Sequence, residues 1–349
     1  MRGVRSSAAG VPLLLAVVLA APAGADDGQV PSAGVAPEVL CTPSDPALAE
    51  LSGLAVLGGR LFATPDAGPD ERIAELDSDC AVVQRFPSPV DPYDVEDMAA
   101  GWSDGRLWLA DLGDNARNRQ TVALVSLHPE SGAGDLYRLR YPDGPQDAET
   151  LLLSADGEPV VVTKSLFGPS GIYRPAGART VTELESPGPT DLDRVGTLAL
   201  GPTETPGGPI PGASSSMITG GAVSEDGTVA AVRTYTDVYL FHAPDGDIVA
   251  ALLSGPDLRI AVPGEPQGEA IAFTADGDLL TASEVDSATG EQPPVRIVRG
   301  VTDLFVADSP EDAGDEELST AVLPVVGAVA AAVVVLALAA VVTIRRRGR

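Results

Sequence analysis

Histidine is almost absent from this sequence. The 349 residues contain only His128 and His242, and both lie in strand-like runs. A His-rich metal centre is therefore excluded, and His242, in "YLFHAPDG", is interpreted as a strand-end residue rather than a catalytic base. The nucleophile elbow G-x-S-x-G is also missing, and the Asp-rich turns do not follow the EF-hand loop pattern.

Basic residues are scarce as well. The chain has 22 basic residues against 50 acidic ones, and a single lysine, Lys164. All acidic residues and 16 of the basic ones lie between residues 26 and 320, which gives that part a formal charge of −34. Such a surface repels nucleic acid, so no nucleic-acid partner is expected. The wealth of Ala, Gly, Val, Pro and Asp fits a GC-rich bacterial genome such as that of an actinobacterium.

Cysteine occurs only twice, as Cys41 and Cys80. In an exported chain this pair predicts a structural disulfide, which would close a loop of about 40 residues. The chain-entropy model gives such a bridge about 3–4 kcal/mol of stabilisation. A metal site built on two thiols is the alternative.

Long apolar runs are confined to the two ends of the chain. Residues 1–25 have two arginines, an apolar stretch and a small-residue cleavage site, which predict a secretory signal peptide; a retained anchor is the alternative. Residues 321–344 carry no charge and precede the basic tail 345–349, which predicts one transmembrane helix with a cytoplasmic C-terminus.

We therefore expect a single-pass protein of the cell membrane whose ectodomain, residues 26–306, lies outside. An acidic stalk at 307–320 would join it to the membrane helix. The run "LPVVG", from Leu323 to Gly327, resembles a Gram-positive wall-sorting signal, so covalent wall anchoring is the less favoured alternative.

Five segments of the ectodomain repeat one pattern, in which a short apolar strand, a Gly-containing turn and a second apolar strand follow each other. They are "SGLAVLGGRLFATPD" (52–66), "EDMAAGWSDGRLWLAD" (96–111), "ETLLLSADGEPVVVTK" (149–164), "TGGAVSEDGTVAAVRT" (219–234) and "EAIAFTADGDLLTASE" (269–284). Mostly Asp-Gly turns between apolar runs predict five β-hairpins.

Further strand-like runs follow each hairpin, among them "DIVAALL", "VTELE" and "DLFVAD". Two more strands per repeat make a four-stranded antiparallel sheet, and radially repeated sheets of this size predict an all-β fold, a β-propeller. We count five blades; a sixth, completed by "VAPEVLCT" (35–42), is the alternative. An Ig-like sandwich is less favoured, because no linker separates the repeats.

The first strand of each propeller blade lines the central channel, so the residues that open the hairpins should meet at one mouth. These are Ser52, Glu96, Glu149, Thr219 and Glu269. The second strands run back to the same mouth and end in Asp66, Asp111, Lys164, Arg233 and Glu284. Several carboxylates should converge there.

Two interpretations of these acids stay open. In the first, Glu96, Glu149 and Glu269, with Asp111 and Asp114, bind a hard cation such as Ca²⁺ through their oxygens. In the second, Lys164 and Arg233 neutralise the acids in a ring of ion pairs. For "DLGDN" (111–115) the alternative to a ligand site is a plain turn, in which Asp114 and Asn115 bond the backbone.

The arrangement over about residues 51–306 resembles the extracellular propellers of the gluconolactonase/regucalcin, NHL-repeat and phytase-like groups. The first resemblance implies a divalent metal held by channel-mouth carboxylates and an Asn, for which Glu96, Glu149, Glu269 and Asn115 are the comparable residues. The phytase-like resemblance implies acid-bound calcium beside basic residues that hold phosphate. The candidates for that role are Arg117, Arg119, Lys164 and Arg233.

We expect a cell-surface binding or scaffold module, with a cell-envelope protein or a small anionic ligand as partner and no catalytic residue assigned. The alternative is a metal-dependent hydrolase of the lactonase or phosphoesterase kind. In it Glu96, Glu149 and Glu269 would hold Ca²⁺ or another divalent cation, a nearby acid would act as base, and Arg233 or Lys164 would bind the anionic part of the substrate.

Overall fold

The computed structural model describes residues 30–66 and 73–306. These belong almost entirely to one compact unit that ends at Leu304. The predicted signal peptide, acidic stalk, membrane helix and basic tail lie outside the described residues. Among the described residues, none of the helices has the length and apolar character needed to cross a membrane.

Twenty strands are the main regular structure of the described chain. They are β1 (Glu38–Cys41), β2 (Leu51–Leu57), β3 (Arg60–Pro65), β4 (Ile73–Leu76), β5 (Val82–Phe86), β6 (Asp97–Gly101), β7 (Arg106–Asp111), β8 (Val122–Leu127), β9 (Leu136–Arg140), β10 (Ala148–Leu153), β11 (Pro159–Thr163), β12 (Ser170–Pro175), β13 (Thr190–Leu198), β14 (Ile218–Val223), β15 (Val229–Thr234), β16 (Asp237–His242), β17 (Leu258–Ala261), β18 (Gly268–Phe273), β19 (Leu279–Ser283) and β20 (Val295–Val298). One α-helix, α1, spans Ile248–Ser254, and short 3₁₀ turns span Pro46–Leu48, Val181–Glu183, Ser214–Ser216 and Thr302–Phe305.

The strands form five antiparallel four-stranded groups, which we call meanders 1 to 5. Their strand orders are β2-β3-β4-β5, β6-β7-β8-β9, β10-β11-β12-β13, β14-β15-β16-β17 and β18-β19-β20-β1. Meanders 2 and 3 merge into one eight-stranded sheet, because β13 pairs with β9 in parallel at Thr190 and Asp191.

The first strands of the meanders form a closed ring. Strand β2 contacts β6 and β18, β10 contacts β6 and β14, and β14 contacts β18. A ring of sheets around a central channel is the propeller arrangement. The predicted mostly β, propeller-type fold is therefore confirmed.

All five predicted hairpins are present, as the pairs β2/β3, β6/β7, β10/β11, β14/β15 and β18/β19. The β2/β3 turn is Gly58-Gly59, with φ of 60° and 75°. Both values are positive, as a two-residue turn matched to strand twist requires, and glycine adopts them without a steric cost.

Three strand predictions from the sequence are wrong. "DIVAALL" forms α1, because the Asp247 side chain caps it by accepting the Ala250 N–H at 2.9 Å, and the Ala and Leu residues that follow favour a helix. "VTELE" and "DLFVAD" contribute 3₁₀ turns. The outer strand of meander 4 is β17 instead, and that of meander 5 comes from the N-terminus.

The segment predicted as part of a sixth blade completes meander 5. Strand β1, from "VAPEVLCT", pairs antiparallel with β20, Glu38 facing Ile297. The predicted disulfide between Cys41 and Cys80 is present, with 5.6 Å between the Cα atoms. It joins β1 of meander 5 to the turn between β4 and β5 of meander 1, so the ring is closed covalently as well as by strand pairing.

The core lies between neighbouring meanders. Phe62 of meander 1 packs in one cluster with Leu109 of meander 2, and Trp108 of meander 2 packs in another with Val161 of meander 3. All four side chains are at most 1% exposed. Because this packing fixes each meander against the next, the ends of the first strands hold polar side chains at defined positions around the channel.

Candidate functional site

A β-bulge opens the first strand of four meanders. The strand register shifts at the second residue of β2, β10, β14 and β18, and the residues passed over are Ser52, Glu149, Thr219 and Glu269. Meander 2 repeats this at Glu96, whose N–H donates to Ala110 O at 2.9 Å while the next residue faces Ala110 in the register. Bulges re-aim side chains and are enriched beside active sites.

These five residues are the ones predicted to open the hairpins, and the structure brings them to one end of the ring. The Ser52 hydroxyl donates to Glu269 Oε2 at 2.9 Å and lies 3.2 Å from the Glu96 carbonyl oxygen. Glu96, Glu149 and Glu269 are 5%, 2% and 3% exposed, so three carboxyl groups converge almost out of reach of water. We call these three glutamates, together with Ser52 and Thr219, the glutamate mouth.

Lys164 brings a positive charge to the glutamate mouth. Its ammonium group forms an ion pair with Glu149 Oε1 and lies 5.1 Å from the ring centroid of Tyr235. Burial alone would lower the pKa of Lys164, but Glu149, Tyr235 and Glu269 raise it well above its usual range. The lysine therefore stays charged at any physiological pH.

Burial and like charge act on the glutamates in the opposite sense. Burial raises the pKa of Glu96 well above its ordinary value, and Glu149, Glu269 and Asp94 add to the shift. Burial also raises the pKa of Glu149, although Lys164 opposes the shift. Glu149 Oε2 is buried and has no hydrogen-bond partner in the described chain. The mouth thus holds more carboxyl groups than it can keep ionised.

Glu284 extends this group of acids. It shares a side-chain hydrogen bond with Glu269, and burial, the charge of Glu269 and that hydrogen bond raise the pKa of Glu284 to about 9. At neutral pH Glu284 is therefore protonated and can donate to Glu269 through this hydrogen bond. Two carboxyl groups that share one proton can act as an acid–base pair. Here Glu284, the protonated member, is more exposed than Glu269.

The glutamates do not form a metal site as they stand. In the part of the chain that the structure describes, no three Asp, Glu, His or Cys side chains are placed to hold one metal ion. Lys164 already pairs with Glu149 Oε1, so a cation bound to that oxygen would have to displace the ammonium group. The predicted metal ligands Glu96, Glu149 and Glu269 are thus close in space, but their charge is balanced by an ammonium group and by protons.

The "DLGDN" stretch forms a turn fastened by charged contacts. Asp111 Oδ1 accepts the Asp94 N–H at 2.9 Å and pairs with Arg119 at 2.9 Å. The Asp114 carboxylate accepts two backbone N–H groups, from Asn118 at 2.9 Å and Arg119 at 2.8 Å. Asn115 and Arg117 are exposed. Asp111 and Asp114 therefore hold the loop, and neither belongs to the glutamate mouth.

Arg233 does not face the mouth at all. Its guanidinium is 0% exposed and pairs with Glu265 at 2.5 Å. It also donates to the carbonyl oxygens of Ala270 at 2.8 Å and Ala282 at 3.1 Å, which belong to meander 5. Arg233 thus ties meander 4 to meander 5, and its N–H groups are occupied inside the protein.

The residue at the mouth that the sequence prediction missed in meander 4 is Tyr235. Each second strand ends opposite the start of its first strand, as Thr163 faces Ala148 and Thr234 faces Ile218. The residue that follows is Lys164 in meander 3, Tyr235 in meander 4 and Glu284 in meander 5. Alignment by pattern placed Arg233 there, two residues early, and a shift of two residues keeps the same strand face.

Asp94 is a second residue that the sequence prediction missed. A Cβ on Gly113 would lie 2.3 Å from Glu96 Oε1 and 2.4 Å from Asp94 Oδ2, so both carboxylates lie against that glycine. Burial raises the pKa of Asp94, and the charges of Asp111, Asp147 and Asp114 add to the shift while Arg119 opposes it. Its position two residues before Glu96 is the sequence signal that could have identified it.

The chain is similar to known proteins only at the level of solved structures, and at low sequence identity. No protein-family model matches the chain, and no curated protein matches it. A gluconolactonase from Xanthomonas campestris, described as important in glucose secondary metabolic pathways, is 15% identical; the match covers 72% of each chain with a TM-score of 0.39.

Two further solved structures are similar. Glutaminyl cyclase from Myxococcus xanthus is 13% identical, and the match covers 76% of this chain and 95% of that one with a TM-score of 0.43. The PQQ-bound aldose sugar dehydrogenase from Streptomyces coelicolor is 12% identical, with 77% and 98% covered and a TM-score of 0.40. The resemblance to gluconolactonase-type propellers is matched by the first structure, but identities and scores this low carry no argument about activity.

Proposed function

We propose that the chain is a hydrolase that acts on a neutral carboxylic ester or lactone at the glutamate mouth. The observation that carries this is the convergence of three buried glutamates, at the starts of three meanders, with one lysine. Buried groups with shifted pKa values, gathered from different elements at one point, are typical of catalytic sites. We also propose that meanders 1 to 5 are the five blades of a complete propeller.

The Glu269–Glu284 pair can supply both proton transfers of ester hydrolysis. Glu269, as carboxylate, takes a proton from water while the water oxygen bonds to the carbonyl carbon. Glu284, protonated at neutral pH, gives its proton to the departing alkoxide as the C–O bond breaks. A proton shift from Glu269 to Glu284 along their hydrogen bond then restores the starting state.

Lys164 can stabilise the charge that develops on the carbonyl oxygen. Its ammonium group is the one cation at the glutamate mouth among the described residues, and it is held in place by Glu149 and the Tyr235 ring. A fixed positive charge in a water-poor site stabilises an oxyanion more than water does. The side chain needs no reorganisation during the reaction, because both contacts are already formed.

The charge of the glutamate mouth favours a neutral substrate over a phosphate ester. Four glutamates surround a single lysine, and residues 26–320 as a whole carry a formal charge of −34. An anionic phosphate would be repelled at long range by this net charge, and at the mouth it would meet an ammonium group that is already paired with Glu149. The lactonase form of the hydrolase reading is therefore favoured over the phosphoesterase form.

A divalent cation would alter this site rather than complete it. Glu96, Glu149 and Glu269 are the residues that would hold one, and the unpartnered Glu149 Oε2 is a free oxygen ligand. Such an ion would supply Lewis-acid polarisation of the carbonyl. Because Lys164 already holds the other oxygen of Glu149, a cation at Oε2 would lie beside an ammonium group that repels it, and no step of the mechanism passes through it.

The other predictions about function remain predictions. A role as a binding or scaffold module, export, anchoring in the cell membrane through residues 321–344 and a cell-envelope partner or small anionic ligand all await a test. We prefer the enzyme hypothesis to the scaffold hypothesis, because a scaffold function does not require three mutually repelling carboxyl groups to be buried together.

The decisive experiment is a hydrolysis screen of the full-length chain. Proton release is followed in a pH-stat with γ-butyrolactone, phenyl acetate and phenyl phosphate. We expect the two neutral substrates to react, and Glu284→Gln and Lys164→Met each to lower kcat by about 100-fold, the usual effect of losing a proton donor or an oxyanion partner. The matched control is Glu225→Gln, which changes an exposed acid far from the mouth.

A preference for phenyl phosphate, or full activity in both mouth variants, would contradict the proposal. Thermal melting with and without Ca²⁺ separates the metal question. If Lys164 occupies the cation position, Ca²⁺ should raise the Tm of Lys164→Met more than that of the unchanged chain. An equal rise in both proteins would show that a metal binds beside Lys164.

A further inference from the structure

A second cleft lies at the outer strands of meander 2, and none of the residues that line it belongs to the glutamate mouth. It is formed by β8, β9 and the segment that leads into β6, and its volume is about 440 Å³. Small-molecule sites in proteins usually measure about 300–1,000 Å³. The cleft is therefore large enough for one ligand of modest size.

Two of the four charged residues that line this cleft neutralise each other. Asp111 and Arg119 form an ion pair at 2.9 Å, and their side chains are 7% and 11% exposed. The other two, Asp91 and Arg138, are exposed and form no ion pair with any described residue. The cleft therefore offers a ligand one unpaired carboxylate and one unpaired guanidinium.

The cleft also offers an apolar wall. The Tyr93 side chain is 77% exposed, yet its position is fixed, because the Arg119 guanidinium lies 4.9 Å from the ring centroid. Val90 and Leu136 are half-buried and Val122 is buried in the same lining. An exposed aromatic ring held by a cation over one face is a rigid contact surface for another apolar group.

We propose that this cleft binds a free amino acid with an apolar side chain, as a zwitterion. The ligand carboxylate pairs with Arg138, whose planar guanidinium can donate two parallel hydrogen bonds to it. The ligand ammonium group pairs with Asp91. The ligand side chain packs against Tyr93 and Leu136.

Charge selects the zwitterion over a singly charged ligand. A simple anion would be repelled by the formal charge of −34 on residues 26–320, and would leave Asp91 facing it in the cleft. A simple cation would leave Arg138 unpaired beside it. A zwitterion has no net charge, so the long-range field does not oppose its approach, and both charged groups of the cleft gain a partner.

Isothermal titration of the full-length chain with L-phenylalanine tests this proposal. Phenylacetate, which lacks the ammonium group, and 2-phenylethylamine, which lacks the carboxylate, are the matched ligands. We expect each to bind at least 10-fold more weakly than phenylalanine, because each loses one charge-assisted hydrogen-bond pair. Variants of the two charged residues should show the same pattern. Asp91→Asn should weaken the binding of phenylalanine but not that of phenylacetate, and Arg138→Ala should weaken the binding of both.

Arg179→Ala is the control, since Arg179 is also exposed and forms no ion pair with a described residue, but lies after β12. It should leave phenylalanine binding unchanged. All the changed residues are exposed, and unchanged melting temperatures confirm that the variants fold. No heat of binding with millimolar phenylalanine, or equal binding of phenylalanine and phenylacetate, would overturn the proposal. Neither result bears on ester hydrolysis, because the two sites share no residue.

Discussion

Glu284 makes the stability of the fold fall as the pH rises. Its pKa is about 9 in the folded chain, raised by burial and by Glu269, against an ordinary value of 4.5. The folded state therefore keeps a proton that the unfolded chain has already lost between these two values. The stabilisation is complete below the ordinary pKa and is lost as the pH rises through the folded pKa.

The magnitude follows from proton linkage. One proton bound only by the folded state changes the free energy of unfolding by about 1.4 kcal/mol per pH unit. Between pH 6 and pH 8 this amounts to at most about 2.7 kcal/mol. Since the Glu284 side chain is partly exposed, solvent screening should reduce this to about 1 kcal/mol, or a fall in Tm of about 2–4 °C.

The assay is thermal melting of Glu284→Gln and of the unchanged chain at pH 6, 7 and 8. The amide cannot ionise, so the variant should lose the part of the Tm decline that belongs to Glu284, and its curve should be flatter by about 2–4 °C over this range. Glu225→Gln, an exposed acid, should keep the original slope. A Glu284→Gln slope equal to that of the unchanged chain would refute a protonated Glu284 in the folded state.

Two further predictions concern the frame that holds the mouth. Replacing both Cys41 and Cys80 by serine should lower the free energy of unfolding by about 3–4 kcal/mol in urea titrations, because the closed loop no longer restricts the unfolded chain; an unchanged midpoint would contradict a stabilising bridge. Asp97, 0% exposed, accepts the N–H groups of Met98, Leu151 and Gly221 at 2.8, 2.8 and 3.2 Å. Asp97→Asn should cost about 2–4 kcal/mol, since its NH₂ would face donors, while a loss below 0.5 kcal/mol in the same titration would mean that the amide reorients without penalty.

The sequence predicted the parts of this protein that depend on neighbours along the chain. Hairpins come from local signals, such as Gly58-Gly59 between two apolar runs, and all five are present. The residues that open them could be aligned because the same pattern of strand, Gly-containing turn and strand recurs in all five segments. Ser52, Glu149 and Glu269 were predicted to meet from that alignment.

Features that depend on strand register, or on pairing between distant parts of the chain, could not be predicted from the sequence. Strand residues repeat every two positions, so the pattern could not separate Arg233 from Tyr235 two residues later. Nor does any local feature show that β1 pairs with β20, because Glu38 and Ile297 lie near opposite ends of the described chain. The helix α1 was predicted as a strand because a short apolar run fits a strand as well as a buried helix.

The closure of the ring by β1 has a consequence for how the chain is made. Strand β1 is the first of the twenty strands to leave the ribosome, but its partner β20 is the last of them. Cys80, in contrast, follows Cys41 after 39 residues, so meander 1 can capture the N-terminal segment early through the disulfide. The disulfide holds β1 close to its final position, so the loss of chain entropy when β1 pairs with β20 is smaller. This partly offsets the slow formation of a contact between segments that are far apart in the sequence.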